Sequence, residues 1–509
     1  MPIDDPRHPR SRPSGGGRST TTPRPDGRRR PALVVLCFVQ FMLVLDDNVV
    51  SVALPSLRGD LGLGTAGLAW VVNAYFLAFG GLLLTAGRMA DVLGRRRVFL
   101  TGVALFGIAS TACGLAQEPW QLISGRFVQG AGAAMASPAA LSMITLLFPG
   151  TGERARALSV WGAVAALGGT SGLVISGVLT GLASWRWIFL INLPVAAVAL
   201  VLLPRLTAES RAAGRARPDI PGALLGTAAV VSLVHGLLQA GESGWADPAV
   251  IGPLLLAAAL AAGFLMAEAR AEAPLVPMSF LADRTRAVAN GATLLFSVAM
   301  YAMAFLLMIH LQTVLGYGPL KAGVAYLPYG AGILAGMRLS TPAMLKMGVR
   351  WTLVPSFLIT SAGLLLLAGV AAGDSYATGV LPGMLVTSLG CGLSLPTLTV
   401  AALTGTTDEN AGLGSAILNS VQQIGGAVGI AVLVTLAERR NDAVANAADS
   451  PGAATEGFSS ALVIAAVLLV LGAVLIAVLL RKVAPGRHDA AVQGAGTEQQ
   501  AREHSSRDA

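Results

Sequence analysis

Apolar stretches of bilayer-spanning length follow one another along almost the whole chain, and a crossing helix needs about 20 residues at ~1.5 Å of rise each. They fall near 32–53, 68–90, 98–116, 121–148, 157–180 and 187–203, then at 221–240 and 249–267. Six more follow at 287–311, 322–345, 352–372, 378–403, 412–437 and 460–480. In a medium without water the backbone must satisfy its own polar groups, so such stretches become helices. The expected product is an all-α polytopic membrane protein with about 14 transmembrane helices. Composition agrees: 54% of the 509 residues are hydrophobic and 12% charged, about half the charged share of a soluble domain.

The formal charge of +8 does not mark a nucleic-acid partner, because the arginines gather in the polar N-terminal tail and in alternate loops. Arg95-Arg96-Arg97, Arg154 with Arg156, Arg205 with Arg211, Arg215 and Arg217, Arg284 with Arg286, and Lys346 with Arg350 alternate with turns poorer in basic residues; Arg186, Lys321 and Arg439-Arg440 are exceptions. Cytoplasmic loops carry this excess, so an even number of crossings puts both termini inside a multi-pass protein of the cell membrane. Trp120, Trp185, Trp187 and Trp245 are expected at outer helix ends as interfacial aromatics. Tails at 1–31 and 483–509 are polar and expected to be disordered and cytoplasmic, and the outer loop at 438–459 is expected to be mobile. No cleavable signal peptide is expected, since the tail is polar and the first apolar run spans. Cys37, Cys113 and Cys391 all lie in apolar runs and read as packing residues.

An internal repeat divides the chain. Gly62, Gly64 and Gly94 recur at constant offset as Gly316, Gly318 and Gly348; Gly125, Gly132 and Pro138 as Gly383, Gly390 and Pro396; Gly168-Gly169 and Gly172 as Gly425-Gly426 and Gly429. Two six-helix bundles, 32–204 and 287–482, are expected, with a linker at 205–286 that carries two inserted helices. Transporters are commonly built from such repeats around a site near the midplane. The charges do not recur. Asp46 and Asp47 align with Met300 and Tyr301, and Arg126 with Met384, so these charges serve a task confined to the first half.

Asp46 lies about 20 Å along the first run, within the membrane. A carboxylate there costs roughly 2.5–3.5 kcal/mol on an isolated helix, which calls for a partner or a water-filled cavity. Arg126, on the oppositely directed fourth run, falls at a similar depth, roughly 8–12 Å below the outer face. A nearby cation favours the charged carboxylate and a dry pocket the neutral one, so a conformational change could load and release a proton; a static structural pair is the alternative. Asp47 points about 100° away, so at most one of the two acids faces a given cavity, and Asp46 is favoured. Asn73, Tyr75, Gln129, Asn419, Gln422 and Gln423, with Asp47, are candidates to line a substrate cavity, although interhelical hydrogen bonds would explain any of them. His235 and His310 read as helix-end residues.

The turn Gly87-Arg88-Met89-Ala90-Asp91-Val92-Leu93-Gly94-Arg95-Arg96-Arg97 joins the second and third runs. Asp91 at its helix end can meet the positive start of a helix in the other half, near Gly412, and latch a gate. This segment resembles the loop signature of the major facilitator superfamily, and Leu122-x-x-x-Arg126-x-x-Gln129-Gly130-x-Gly132 its fourth-helix motif. Leu45-Asp46 through Pro55, and Ser184-Trp185-Arg186-Trp187 through Asn192-Leu193-Pro194, resemble the fourteen-helix drug:proton antiporter branch. The resemblance covers nearly all of the membrane region and implies proton-coupled efflux of small amphipathic drugs or antibiotics by alternating access. It implies Asp46 as the proton-coupling carboxylate, Arg126 as its relay partner, and Gly87, Asp91, Gly94, Arg95 and Arg96 as the gating loop.

Two departures are visible. Asn48 and Ser51 stand where the branch has Thr and Asn. In the fifth-helix motif Leu173 and Ser176 replace the usual Pro and Gly, while Gly168, Gly172 and Gly177 remain as helix-packing glycines. A missing proline removes the expected kink, which keeps a proton-coupled importer of a small metabolite as the alternative. No nucleophile–base pair, metal cluster or phosphate-binding loop is apparent. An enzyme is therefore not expected, nor a cofactor beyond the proton motive force. The expected partners are a small-molecule substrate, protons and the lipid bilayer, with no nucleic acid, and a monomer is expected. Arg338 has no evident partner.

Overall fold

A computed structural model describes residues 28–211, 220–271, 274, 276, 280, 282–371, 373–406, 411–445 and 452–480. The N-terminal tail up to residue 27, Arg215, Arg217 and the C-terminal tail from 481 lie outside the described residues. The helices are α1 (Arg29–Leu61), α2 (Thr65–Leu93), α3 (Arg95–Gly114), α4 (Pro119–Leu147), α5 (Thr151–Leu182), α6 (Trp187–Leu190) and α7 (Asn192–Leu206). Then come α8 (Ile220–Ser243), α9 (Pro248–Arg270), α10 (Arg284–Thr313), α11 (Pro319–Ala325), α12 (Leu327–Ala368), a π-helical turn at Tyr376–Val380, α13 (Leu381–Ala402), α14 (Ala411–Ala445) and α15 (Gly452–Leu479). Thirteen helical segments among the described residues are long and apolar enough to cross a membrane. One of them, Pro319–Ala368, is 50 residues long and breaks at Gly348 (φ 79, ψ 165), so it supplies two crossings and the total agrees with the expected count.

The repeat is visible in the backbone. Gly62 and Gly316 both have φ 64, and Gly94 and Gly348 have φ 116 and 79, a region that costs a side-chain-bearing residue dearly. Each pair therefore ends a helix at the same point of its half. α4 lies close on α3 through Gly132, where a Cβ would come 2.7 Å from Phe106 N, and α13 lies on the second part of α12 through Gly390, 2.6 Å from Thr360 N. The inserted helices α8 and α9 pack on each other, and α8 also touches α2 and α14. The architecture is thus two six-helix bundles with two helices inserted between them.

One face of the molecule collects the basic loops. Arg96 donates to Thr207 O (2.9 Å), Arg88 to Pro274 O (2.5 Å) and Arg286 to Gly405 O (3.4 Å), and Arg350 donates to Ala477 O. The opposite face is tied by Trp185 and Arg186 to Asp60 (2.8 and 3.1 Å). Trp185 is therefore no interfacial anchor: it is 2% exposed, whereas Trp120, Trp187 and Trp245 are exposed. Of the span 438–459, residues 446–451 lie outside the described residues; on either side of them α14 runs on to Ala445 and α15 starts at Gly452, and Arg440 pairs with Glu456 at 3.3 Å. His310 is not a solvated end residue, for it is buried and stacks on Phe458 with centroids 4.5 Å apart.

Candidate functional site

Asp46 sits on the face of α1 that turns into the first bundle, among α3, α4 and α7, and both it and Arg126 are fully buried. Arg126 Nη1 donates to Asp46 Oδ2 at 2.5 Å, and the other carboxylate oxygen accepts from Gln129 Nε2 and Asn192 Nδ2, both at 2.8 Å. Gln129 is set by α4 geometry, one turn past Arg126. Its Oε1 accepts from Arg126 Nη1 (2.9 Å), and its Nε2 also reaches Ser110 Oγ (2.7 Å). The guanidinium is held further by Nε donating to Val71 O (3.2 Å) and by the Tyr75 ring, 4.4 Å from its carbon; a cation over an aromatic face is attracted by the ring quadrupole. Arg126 Nη2 alone has no partner. One carboxylate thus ties α1 to α4 and α7, and through Arg126 and Gln129 to α2 and α3.

α5 meets α1 through a regular seam. A Cβ on Gly168 would lie 3.0 Å from Phe41 O, and one on Gly172 3.2 Å from Leu45 O. One turn further, Ser176 Oγ donates to Val49 O at 2.5 Å. The serine that departs from the fifth-helix motif therefore bonds α1 where a glycine would merely approach it. Gly177 faces the other bundle, where a Cβ would come 2.7 Å from Pro319 O, so glycine is needed there for close approach between the halves.

On that face, away from the basic loops, the halves are joined, with Gln312 Nε2 also donating to Val52 O at 2.9 Å. Towards the basic face Ser159, Val160, Gly162 and Ala163 of α5 are all exposed, positions that together span an arc of about 160° of the helix. Between the halves lies a cavity of about 340 Å³, lined by Asn48 and Ser51 of α1, Leu173 of α5, Met308 of α10, and Tyr326, Tyr329, Leu334 and Met337 at and within α12.

None of the seven residues expected to line a cavity lines this one. Gln129 and Tyr75 belong to the carboxylate network. Asn73 is fully buried with neither amide atom bonded among the described residues, where the buried Asp47 Oδ1 and Gln423 Oε1 are also without a partner. Gln423 packs at Gly80, where α2 meets α14. Gln422 is half-buried; Asn419 is exposed and donates to Ser415 O within its own helix (2.9 Å).

In the gating loop, Asp91 does not reach the start of α14 near Gly412; it accepts from Arg95, four residues on, at 2.8 Å. Gly87 is near Pro138 of α4, and Gly94 makes the positive-φ turn. The N-terminus of α3 is held by Glu209, whose two oxygens accept from Arg96 N (3.0 Å) and Arg97 N (3.1 Å). Sequence reasoning missed Glu209, Ser110 and Asn192. Only Asn192 had a signal, its place in the motif after Trp185.

Two six-helix halves with a cavity between them, and a buried ion pair inside the first half, are the architecture of a membrane transporter. The chain belongs to the major facilitator superfamily, whose family model matches residues 36–430. It is 39% identical to the puromycin resistance protein pur8 of Streptomyces alboniger, over 90% of this chain and 92% of that one. It is also 39% identical to the cephamycin export protein CmcT of Amycolatopsis lactamdurans, over 80% and 84%. Among solved structures, the inward-facing, occupied form of a bacterial homologue of the human lysosomal transporter Spinster superposes with a TM-score of 0.65 at 16% identity. That match covers 91% of this chain and 100% of the other, and at this identity the likeness concerns the fold alone.

Proposed function

We propose that this protein is a proton-coupled exporter of small amphipathic drugs or antibiotics, working by alternating access in the cytoplasmic membrane with both termini inside. The observation that carries the reading is the Asp46–Arg126 pair, completely buried and bonded at 2.5 Å, on the same helix as the cavity-lining Asn48 and Ser51, which lie two and five residues further on. The names of the relatives, a resistance protein and an export protein, support the direction and the kind of cargo.

Protonation and pairing compete for the same carboxylate. When Asp46 takes a proton, Oδ2 stops attracting Arg126, and the guanidinium retains Gln129 Oε1, Val71 O and the Tyr75 ring. The tie between α1 and α4 then loosens while α2 and α4 stay joined. α1 can shift along the smooth seam that Gly168 and Gly172 form on α5, which alters the cavity wall at Asn48 and Ser51. Asp91, Arg95 and Arg96 with Gly87 and Gly94 form the hinge loop of the cytoplasmic gate, braced here by Glu209. The energy source is the proton motive force, each charge moved being worth about 2.3 kcal/mol per 100 mV. No cofactor is required, and the unit is a monomer.

Efflux into energised inverted vesicles, across a panel of drugs and with a proton-gradient collapser as control, tests the reading. Asp46→Asn should abolish gradient-dependent uptake while membrane insertion is kept. Pumping by that variant at the wild-type rate, or uptake indifferent to the collapser, would overturn it.

A further inference from the structure

Arg338 is the membrane-depth cation singled out by the sequence that the Asp46 network does not absorb. It stands near the middle of the first part of α12, roughly 15 Å from either end at ~1.5 Å per residue. It is exposed, and it makes no hydrogen bond or ion pair among the described residues. The opposite side of this helix is fixed: a Cβ on Gly336 would lie 2.9 Å from Gly392 Cα, so that side is pressed on α13. Leu334 and Met337 line the cavity between the halves. Arg338 follows Met337 directly and lies one turn beyond Leu334, about 40° round the helix from it, next to the lining residues.

A guanidinium at this depth is too costly to leave among acyl chains, and such residues face a water-filled cavity. The wall it joins carries no acidic residue: its polar groups are Asn48, Ser51 and the two tyrosines Tyr326 and Tyr329, and the rest is apolar. Arg126 cannot supply a second cation, being neutralised by Asp46. The cleft therefore offers one uncompensated planar cation, whose paired N–H groups match a carboxylate or sulfonate, above an apolar, aromatic pocket of a size that suits the body of a small organic molecule.

We propose that Arg338 receives the anionic group of the transported molecule, and that the substrates of this protein are amphiphilic organic anions. The proposal takes its direction of transport from the efflux reading, but the binding step stands independently of it. The test is equilibrium binding to the purified full chain, with fluorescein and rhodamine 123 as probes, since the two share a xanthene frame and differ in charge. Wild type should bind fluorescein more tightly, Arg338→Gln should weaken fluorescein about tenfold or more with rhodamine 123 unchanged or tighter, and Arg338→Lys should recover part of the loss. Equal affinity of the two probes for wild type, no measurable fluorescein binding, or fluorescein binding unaltered in Arg338→Gln would each overturn it. The same probes in inverted vesicles separate the two readings: fluorescein bound through Arg338 yet not pumped sinks the efflux reading alone. Rhodamine 123 pumped while fluorescein is neither bound nor pumped sinks the assignment of Arg338 alone.

Discussion

Removing the charge of Asp46 should cost more stability than removing the charges of both partners, and the structure fixes why. In Asp46→Asn the new amide oxygen can still accept from Gln129 and Asn192, which approach one side of the carboxylate at 2.8 Å. The amide nitrogen, however, then faces Arg126 Nη1 at the position of Oδ2, donor against donor. Arg126 keeps its charge, since guanidinium is not deprotonated in proteins, and it is fully buried with Nη2 already unpartnered. Breaking a buried pair by one side costs about 3–5 kcal/mol, far more than the net value of the pair. In Asp46→Asn/Arg126→Gln no buried charge is left, and the amides can bond one another within the polar cluster of Gln129, Asn192 and Ser110. We expect the double variant to regain about 2–4 kcal/mol of the loss, while neither variant couples transport to protons. Reversible denaturant unfolding of the four proteins of the cycle in detergent measures the coupling directly. A double variant no more stable than Asp46→Asn would show that Arg126 is not held by Asp46 as described.

Two further outcomes follow from the packing and the caps. Gly172→Leu, which must force its side chain against Leu45 O and Leu45 Cα, should destabilise the chain by roughly 1–3 kcal/mol and slow transport. Gly162→Leu on the same helix, with nothing within 4 Å, should be neutral in both thermal stability and drug efflux. Glu209→Gln weakens the acceptor for Arg96 N and Arg97 N at the start of α3; a cost of about 0.5–2 kcal/mol is expected, read as faster amide exchange confined to the first turn of α3. Equal exchange in the variant would remove Glu209 as the cap.

What the sequence disclosed was whatever could be read from cost. A charge within an apolar run must have a reason, so Asp46 and Arg126 stand out, and depth along two opposed helices puts them at the same level of the membrane. Glycines at constant offset disclosed the repeat because positive-φ turns and close approaches tolerate little else. The remaining parts carry no such cost in one dimension. Ser110 and Asn192 are neutral polar residues of a kind that packs harmlessly in many membrane helices, and only rotation of α3 and α7 aims them at Asp46. Glu209 caps a helix more than a hundred positions away, a contact set by docking of the segment after α7. The cavity residues Asn48, Ser51, Tyr326 and Tyr329 were passed over in favour of Asn73 and Gln423 because amides in a span look functional, whereas which side of a helix meets the cleft depends on the tilt of its bundle.

The comparison of the two halves carries the argument a step further than either half could. Positions 300 and 384, which the repeat sets against Asp46 and Arg126, hold Met300 and Met384, 7% and 0% exposed. The second bundle therefore fills the same places with flexible apolar side chains and keeps the same helix contacts, as Gly390 on α12 mirrors Gly132 on α3. The fold does not need charge there. Charge at those places in the first bundle costs desolvation that two methionines would avoid, and its persistence is accounted for by chemistry, not by packing. The division extends to the cleft: the Asp46 network lies on α1, α2, α3, α4 and α7, while the tyrosine-lined wall and Arg338 lie on or next to α12. On the proposed reading, a proton taken by the first half and a substrate gripped mainly by the second influence each other through α1, which carries both Asp46 and the cavity-lining Asn48 and Ser51, and through relative motion of the halves. That is the condition for obligatory exchange: neither ligand need touch the other's binding groups for its release to depend on the other's arrival.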